Sequence, residues 1–158
     1  MIETILVPYD RRGVIKHKKT RQEITKKLSI KITFEENNVI LEGEGLELYT
    51  AKNIVKAIAR GFSPPKAFRL FNEKESLEII DLIFSDKKNS RIKSRVIGSN
   101  GKTRREIEFY TKASISIYGK TISIIGTYEQ IENAKEAVKM LISGAGHKTV
   151  YDFLRRLQ

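Results

Sequence analysis

The chain contains a near-copy of itself. Shifted by 83 positions, Lys19-Thr20-Arg21-Gln22-Glu23-Ile24 falls on Lys102-Thr103-Arg104-Arg105-Glu106-Ile107. At the same offset Val39, Leu41 and Gly43 fall on Ile122, Ile124 and Gly126, Ala51-Lys52 and Val55-Lys56 on Ala134-Lys135 and Val138-Lys139, and Gly61 on Gly144. Matched blocks spread along one offset point to a duplication. A chain of 158 residues therefore divides into two small units, and the element order that serves one half has to serve the other.

Each copy reads as helix, strand, strand, helix. In the second, Thr103 to Thr111 forms a charged helix around Ile107 and Phe109, and Thr103 with Glu106 has the Thr-x-x-Glu spacing of a capping box. Ser114 to Tyr118 and Thr121 to Ile125 alternate isoleucine with serine or threonine on either side of Gly119-Lys120, which predicts a hairpin. Ile131, Ala134, Ala137, Val138, Leu141 and Ile142 then recur at helical spacing until Gly144 ends the run. The first copy repeats this with a helix over Thr20 to Leu28, strands over Ile30 to Phe34 and Val39 to Gly43 joined at Asn37-Asn38, and a helix over Leu46 to Arg60. Thr4 to Val7 reads as a strand stopped by Pro8, Pro65 to Phe71 as a short helix, and Leu77 to Phe84 as a strand.

Charge narrows the function. Thirty Lys and Arg against 19 Asp and Glu give a formal charge of +11, a field that attracts polyanions. Between Lys87 and Arg105 there are eight basic residues and no acidic one, the most positive stretch of the chain. Within it lies Gly98-Ser99-Asn100-Gly101, just before the predicted helix. Two glycines bracketing two residues at a helix start let the backbone approach a phosphate without an intervening Cβ, while amide donors and the positive helix end meet the anion. Lys102, Arg104 and Arg105 add charge after the loop and Lys93 and Arg95 before it, with Ile97, Ile107 and Ile115 as the apolar groove for bases or, for the last two, simply core.

These residues resemble the KH module of type I order: a strand, a short helix ending in Val96-Ile97, the loop Gly98-Ser99-Asn100-Gly101, a basic helix, a hairpin and a long helix. The chain as a whole is similar to archaeal and eukaryotic small-subunit ribosome assembly factors related to Krr and to the partner of the Nob endonuclease. Lys56-Ala57-Ile58-Ala59-Arg60-Gly61-Phe62-Ser63-Pro64 and Leu77-Glu78-Ile79-Ile80-Asp81-Leu82 look like that family's inter-repeat segment, and Gly146-His147-Lys148-Thr149-Val150-Tyr151-Asp152-Phe153-Leu154 like its tail. The resemblance implies an α+β protein of two tandem type I KH-like units packed pseudo-symmetrically: an N-terminal unit over 1–62, an inter-repeat segment over 63–84 and a C-terminal unit with its tail over 85–158. It further implies a non-enzymatic, intracellular protein of archaeal origin that binds single-stranded RNA, specifically small-subunit rRNA near its 3′ end. Arg95, Ile97, Gly98, Ser99, Asn100, Gly101, Lys102, Arg104 and Arg105 form the expected RNA site, and the expected partners are a Nob-type endonuclease and pre-ribosomal proteins. A general KH adaptor on mRNA or in translation initiation, and a protein-docking scaffold, are the alternative roles.

The copies differ where the chemistry lies. The first has Val14-Ile15-Lys16-His17-Lys18-Lys19 where the second has Val96-Ile97-Gly98-Ser99-Asn100-Gly101-Lys102, one residue fewer and without either glycine. The clamp is not expected there. Arg11, Arg12, Lys16, Lys18, Lys19 and Arg21 still form a basic patch, with Arg12, Lys16, Lys18 and Lys19 as auxiliary RNA contacts, or else a docking face.

Other chemistry finds no support in the sequence. Gly101-Lys102-Thr103 ends like a Walker A loop, but the glycine required five positions before Gly101 is Val96. There is no cysteine, and the histidines, His17 and His147, lie in different copies without metal-ligand spacing, so neither a metal nor a cofactor is expected. No apolar run approaches membrane-spanning length, and no membrane partner is expected. Tyr118, Tyr128 and Tyr151 could stack bases or simply pack.

Overall fold

The computed structural model describes residues 1–157. They form two compact units, one over Met1–Glu73 and one from Lys74 onward. The first runs β1 (Ile2–Leu6), α1 (Tyr9–Lys16), α2 (Lys18–Leu28), β2 (Lys31–Glu35), β3 (Asn38–Glu42), α3 (Gly45–Ala59), α4 (Pro64–Ala67) and a 3-10 turn (Phe68–Phe71). The second runs β4 (Glu75–Asp81), α5 (Asp86–Ile97), a 3-10 turn (Ser99–Gly101), α6 (Lys102–Thr111), β5 (Ser114–Tyr118), β6 (Thr121–Thr127), α7 (Tyr128–Ile142) and α8 (His147–Arg155). The stretch read as an inter-repeat segment is shared between them: Pro64–Phe71 closes the first unit and β4 opens the second.

Each unit has an antiparallel three-stranded sheet, in the orders β1-β3-β2 and β4-β6-β5. The strand that enters the unit thus pairs with the last strand of the hairpin, Ile5 opposite Val39 in one unit and Ile80 opposite Ile122 in the other. Alternation turns one face of each hairpin inward, and the long helix covers it. In the second unit Ile115, Ile122 and Ile124 meet Ile131, Ala134, Val138 and Leu141 of α7, joined by Val96 of α5, Ile107 of α6 and Val150 and Leu154 of α8. Full burial of each large aliphatic side chain is worth about 1.5–3 kcal/mol.

The backbone records the duplication more sharply than the side chains do. Residues with positive φ pair at the same offset: Ser29 (φ 49°) with Lys112 (φ 68°), Glu36 (φ 52°) with Gly119 (φ 54°), and Gly61 (φ 102°) with Gly144 (φ 99°). The first pair ends the second helix of each unit, the next turns the hairpin, and the last terminates the long helix. An arginine repeats one contact as well. Arg11 donates from Nε to Ile58 O and from Nη2 to Phe62 O, both at 2.8 Å. Arg95 donates to Leu141 O and Ala145 O, which lie 83 residues beyond those acceptors. In both units a guanidinium thus ties the helix before the loop position to the end of the long helix.

Three local expectations are corrected. The first hairpin turns at Glu36-Asn37, one residue before the predicted Asn37-Asn38, so Asn38 already pairs with Glu35. Thr103 is not a cap: Gly101 occupies the N-cap of α6 and no side chain caps that helix. The capping box belongs to α7, where Thr127 accepts from Gln130 N and Gln130 Oε1 accepts from Thr127 N. His147–Arg155, read only as a tail, is a helix. Among the described residues no helix is long and apolar enough to cross a membrane.

Candidate nucleic-acid interface

Gly98-Ser99-Asn100-Gly101 joins α5 to α6, and both helices are fixed from behind. Ser85 caps α5 by accepting from Lys88 N at 3.2 Å, and buried Asn89 holds the β4–α5 connection by donating to Leu82 O and Phe84 O and accepting from Phe84 N. Val96 and Ile107 anchor the two helices in the core. At the loop the backbone leaves ordinary space. Gly98 has φ 74° and ψ 176°, Asn100 φ 55° and ψ 29°, and Gly101 φ 75° and ψ 13°. None of these three has a positive-φ counterpart in the first unit.

Each glycine answers a different demand. A Cβ on Gly98 would stand 2.1 Å from Thr103 Oγ1 and 2.7 Å from Thr103 N, so glycine is required for both conformation and space. A Cβ on Gly101 would meet only the end of the Arg105 side chain, at 3.1 Å. Ser99, Asn100 and Lys102 are exposed at the tip. The tip is therefore open to solvent, the condition for a backbone phosphate to reach it.

The structure divides the expected site residues by what their side chains are doing. Lys102 is exposed, its Nζ 5.5 Å from the centre of the Tyr151 ring. Arg105 turns back and donates to Asn100 O, bracing the loop. Arg104 is paired with Glu108 at 2.6 Å, and Glu108 also accepts from Ile115 N at 2.9 Å, linking α6 to the edge strand β5. Arg95 is spent on the two carbonyls at the end of α7 and its beginning connection to α8, so it is a structural arginine rather than a free phosphate ligand. Ile97 is 38 % exposed beside the loop, whereas Ile107 and Ile115 are buried at 0 % and 3 % and belong to the core. Of the three groove candidates only Ile97 is available to a base.

Sequence reasoning missed the part played by α8. Tyr151 OH lies 2.9 Å from Thr103 Oγ1, and His147 Nε2 lies 3.0 Å from Arg95 O. Thr103, 1 % exposed, therefore packs on Gly98 from one side and is held by the tyrosine from the other. On the same helix Arg155 hydrogen-bonds Asp152 and holds its carboxyl below the usual range. At the offset of 83 this helix falls on Pro64–Phe71, the closing element of the first unit, but only the glycines before them, Gly61 and Gly144, are identical.

The first unit lacks the clamp. α1 and α2 meet at the single residue His17, whose φ of −55° is ordinary extended-side backbone. Ile15 of α1 and Val96 of α5 are both fully buried. Arg12, expected as an auxiliary RNA contact, donates to Glu36 O and Asn37 Oδ1 and so fastens the hairpin turn. Lys16 lies over the Phe34 ring, and Lys16, Lys18 and Lys19 are exposed. Among the described residues no cluster of three His, Asp or Glu side chains could hold a metal ion.

A strand, two helices, a hairpin and a long helix, occurring twice and carrying a glycine-bracketed loop between the two helices of the second copy, define a tandem type I KH protein. A family model described as eukaryotic type KH-domain (KH-domain type I) matches residues 74–158. A KH domain-containing protein of Methanocaldococcus jannaschii is 40 % identical over 98 % of this chain and 73 % of its own length. The pre-rRNA-processing protein PNO1 of Chaetomium thermophilum is 31 % identical over 82 % of this chain, which spans only 54 % of that protein. The crystal structure of Dim2p from Pyrococcus horikoshii OT3 superposes with a TM-score of 0.92 at 43 % identity, covering 99 % of both chains. A chain of the a/eIF2alpha–aDim2p–rRNA complex from the same organism gives 0.91 at 42 %, covering 99 % of this chain and 93 % of that one. The protein belongs to the PNO1/Dim2 family of KH proteins; the wider kinship to Krr drawn from sequence is too loose.

Proposed function

We propose that this chain is a single-stranded RNA-binding factor in the processing of small-subunit pre-rRNA, and that its second KH unit holds the RNA backbone at Gly98-Ser99-Asn100-Gly101. The observation that carries the reading is the exposed loop tip, built from backbone that only glycine tolerates at Gly98 and placed in the most positive stretch of the chain. Its neighbours Lys102 and Arg105 add positive charge, and the N-terminal end of α6 adds its dipole. Ile97 offers an apolar contact to a base in the shallow site where KH modules hold about four nucleotides.

The kind of RNA is taken from the relatives: one is named a pre-rRNA-processing protein, and another occurs in a complex with rRNA and a/eIF2alpha. Those names support rRNA as the target and an initiation-factor α subunit as a partner to test; the resemblance read from the sequence narrows the target to small-subunit rRNA near its 3′ end and adds a Nob-type endonuclease and pre-ribosomal proteins as candidates. The chain itself positions RNA and performs no reaction. No feature of the site favours a general mRNA adaptor or a protein scaffold over this role.

The deciding experiment replaces Ser99 and Asn100 together by Asp. Both are exposed and Asp accepts the left-handed conformation of Asn100, so carboxylates arrive where phosphate should sit while the backbone stays in place. Binding to a panel of short single-stranded RNAs that includes the 3′ end of small-subunit rRNA should fall by at least about tenfold, or about 1.4 kcal/mol. Unchanged binding across the panel overturns the assignment.

A further inference from the structure

Beside the clamp, on the side facing α8, lies a depression of 310 Å³ lined by Arg91, Ser94, Ser99, Lys102, His147 and Tyr151, among others. The first unit has its counterpart, a depression of 570 Å³. The two correspond at the offset of 83: Lys19 with Lys102, Thr20 with Thr103, Pro64 with His147 and Phe68 with Tyr151. Duplication therefore supplies an internal comparison. In the unit without a glycine clamp, Pro64, Pro65 and Phe68 form one wall of this space, facing His17, Lys19, Thr20 and the carboxylate of Glu23. In the unit with the clamp, the prolines and phenylalanine give way to polar groups, and the lining holds no carboxylate at all.

Both depressions keep a lysine and a threonine, Lys19 and Thr20 or Lys102 and Thr103; the clamp is accompanied by Arg91 and His147 and by loss of the carboxylate, a change that favours an anion beside the loop. Gly98 and Ser99 belong to both the loop and the wall of the depression, so its mouth adjoins the loop tip. Arg91 is exposed, one turn of α5 before Arg95, and makes no hydrogen bond or ion pair among the described residues. Unlike Arg95, it is free to meet an anion. His147 and Tyr151 are held in place through Arg95 O and Thr103 Oγ1, so the wall is fixed before any ligand arrives.

We infer that this depression is a second phosphate subsite: RNA held at Gly98-Ser99-Asn100-Gly101 continues onto the α8 side of the loop, where Arg91 and Lys102 take the adjoining phosphodiester and the Ser94 and Ser99 hydroxyls donate to it. The assignment rests on the loop being an RNA clamp and adds a path for the strand beyond it. Its volume lies at the small end of ligand pockets, about 300–1,000 Å³, and suits one nucleotide unit.

The test compares a tetranucleotide with a decanucleotide containing it, using the full chain. Arg91→Glu and, from the next turn of α5, Ser94→Asp change exposed side chains outside the loop. Wild-type protein should bind the decanucleotide at least about tenfold more tightly than the tetranucleotide, and each variant should lose at least about fivefold of that gain while binding the tetranucleotide within about twofold of wild type. Variants that bind both RNAs like wild type, including the case where they lose only binding to an acidic protein segment, overturn the subsite and leave the clamp standing. Variants that weaken both lengths equally also overturn it, because Arg91 would then act at the clamp itself. Failure of wild-type protein to bind either RNA would bring down the clamp and the subsite together.

Discussion

Thr103 Oγ1 and Tyr151 OH lie 2.9 Å apart, joining the first turn of α6 to the middle of α8. The threonine is buried against Gly98, so the C-terminal helix reaches the clamp through one hydroxyl pair. Tyr151→Phe removes the bond and keeps the ring, and because Tyr151 is only half-buried the lone threonine hydroxyl is the group left short of a partner. Stability in urea denaturation should fall by about 1 kcal/mol, the net value of an ordinary hydrogen bond.

The two loop glycines should respond unequally to alanine. Gly98 combines φ 74° and ψ 176°, a region essentially closed to side chains, with a Cβ position 2.7 Å from backbone nitrogen, so nothing flexible can yield. Gly101 lies in the left-handed helical region and would press only on the end of Arg105. Gly98→Ala should cost about 3 kcal/mol and Gly101→Ala about 1 kcal/mol, read as midpoint shifts in urea at unchanged m-value. The same geometry disqualifies replacing Gly98 by Asp as a clean test of RNA binding, since the fold would suffer with the site.

Removing either of the two repeated arginine contacts should destabilise its own unit. Arg11→Met and Arg95→Met keep much of the side-chain bulk but each leaves two carbonyls at the end of a long helix without a charged donor. Hydrogen bonds to charged groups contribute about 1.5–3 kcal/mol each, and partial exposure of these discounts the pair to about 2–3 kcal/mol. Hydrogen exchange resolves the units: amides of α3 should lose protection in the first variant, those of α7 in the second.

Whether a residue could be placed from sequence depended on whether its neighbours were local. The hairpins were legible because isoleucines alternate with polar residues, as Ile115 and Ile117 or Ile122 and Ile124 illustrate, but that pattern did not show that β6 is buried on both faces, Ser123 and Ile125 included. The loop was legible because two glycines carry their own conformational reason. Helix α8 was not, since between Gly61–Phe71 and Gly144–Leu154 the glycine alone is identical, and prolines in one copy stand against His147 and Lys148 in the other. Thr103 misled for a related reason: Thr-x-x-Glu spacing describes a cap only if the threonine begins the helix, and Gly101 takes that position first. Counting charge located the positive stretch but not where each guanidinium goes. Arg12 and Arg95 count as positive, yet Arg12 is bound to the Glu36 carbonyl and the Asn37 side chain, and Arg95 to two backbone carbonyls at the end of the long helix.

The last prediction separates the two units electrostatically. Lys16, Lys18 and Lys19 are exposed around the single-residue joint at His17, where no glycine lets a backbone phosphate settle, so any contact they make with RNA is through charge alone. Such a contact releases counterions and contributes about 0.7 per neutralised phosphate to the slope of log affinity against log salt for a single strand. Changing all three to Ala should therefore lower that slope by at most about 2 and weaken binding by less than about tenfold at physiological salt. Ser99→Asp with Asn100→Asp should behave differently, because a misplaced carboxylate blocks the seat itself and added salt cannot restore it. Titrations from low to high salt distinguish the two patterns. Were the lysine variant to lose as much affinity as the loop variant at every salt concentration, the joint at His17 would have to be counted as a second RNA seat despite its geometry.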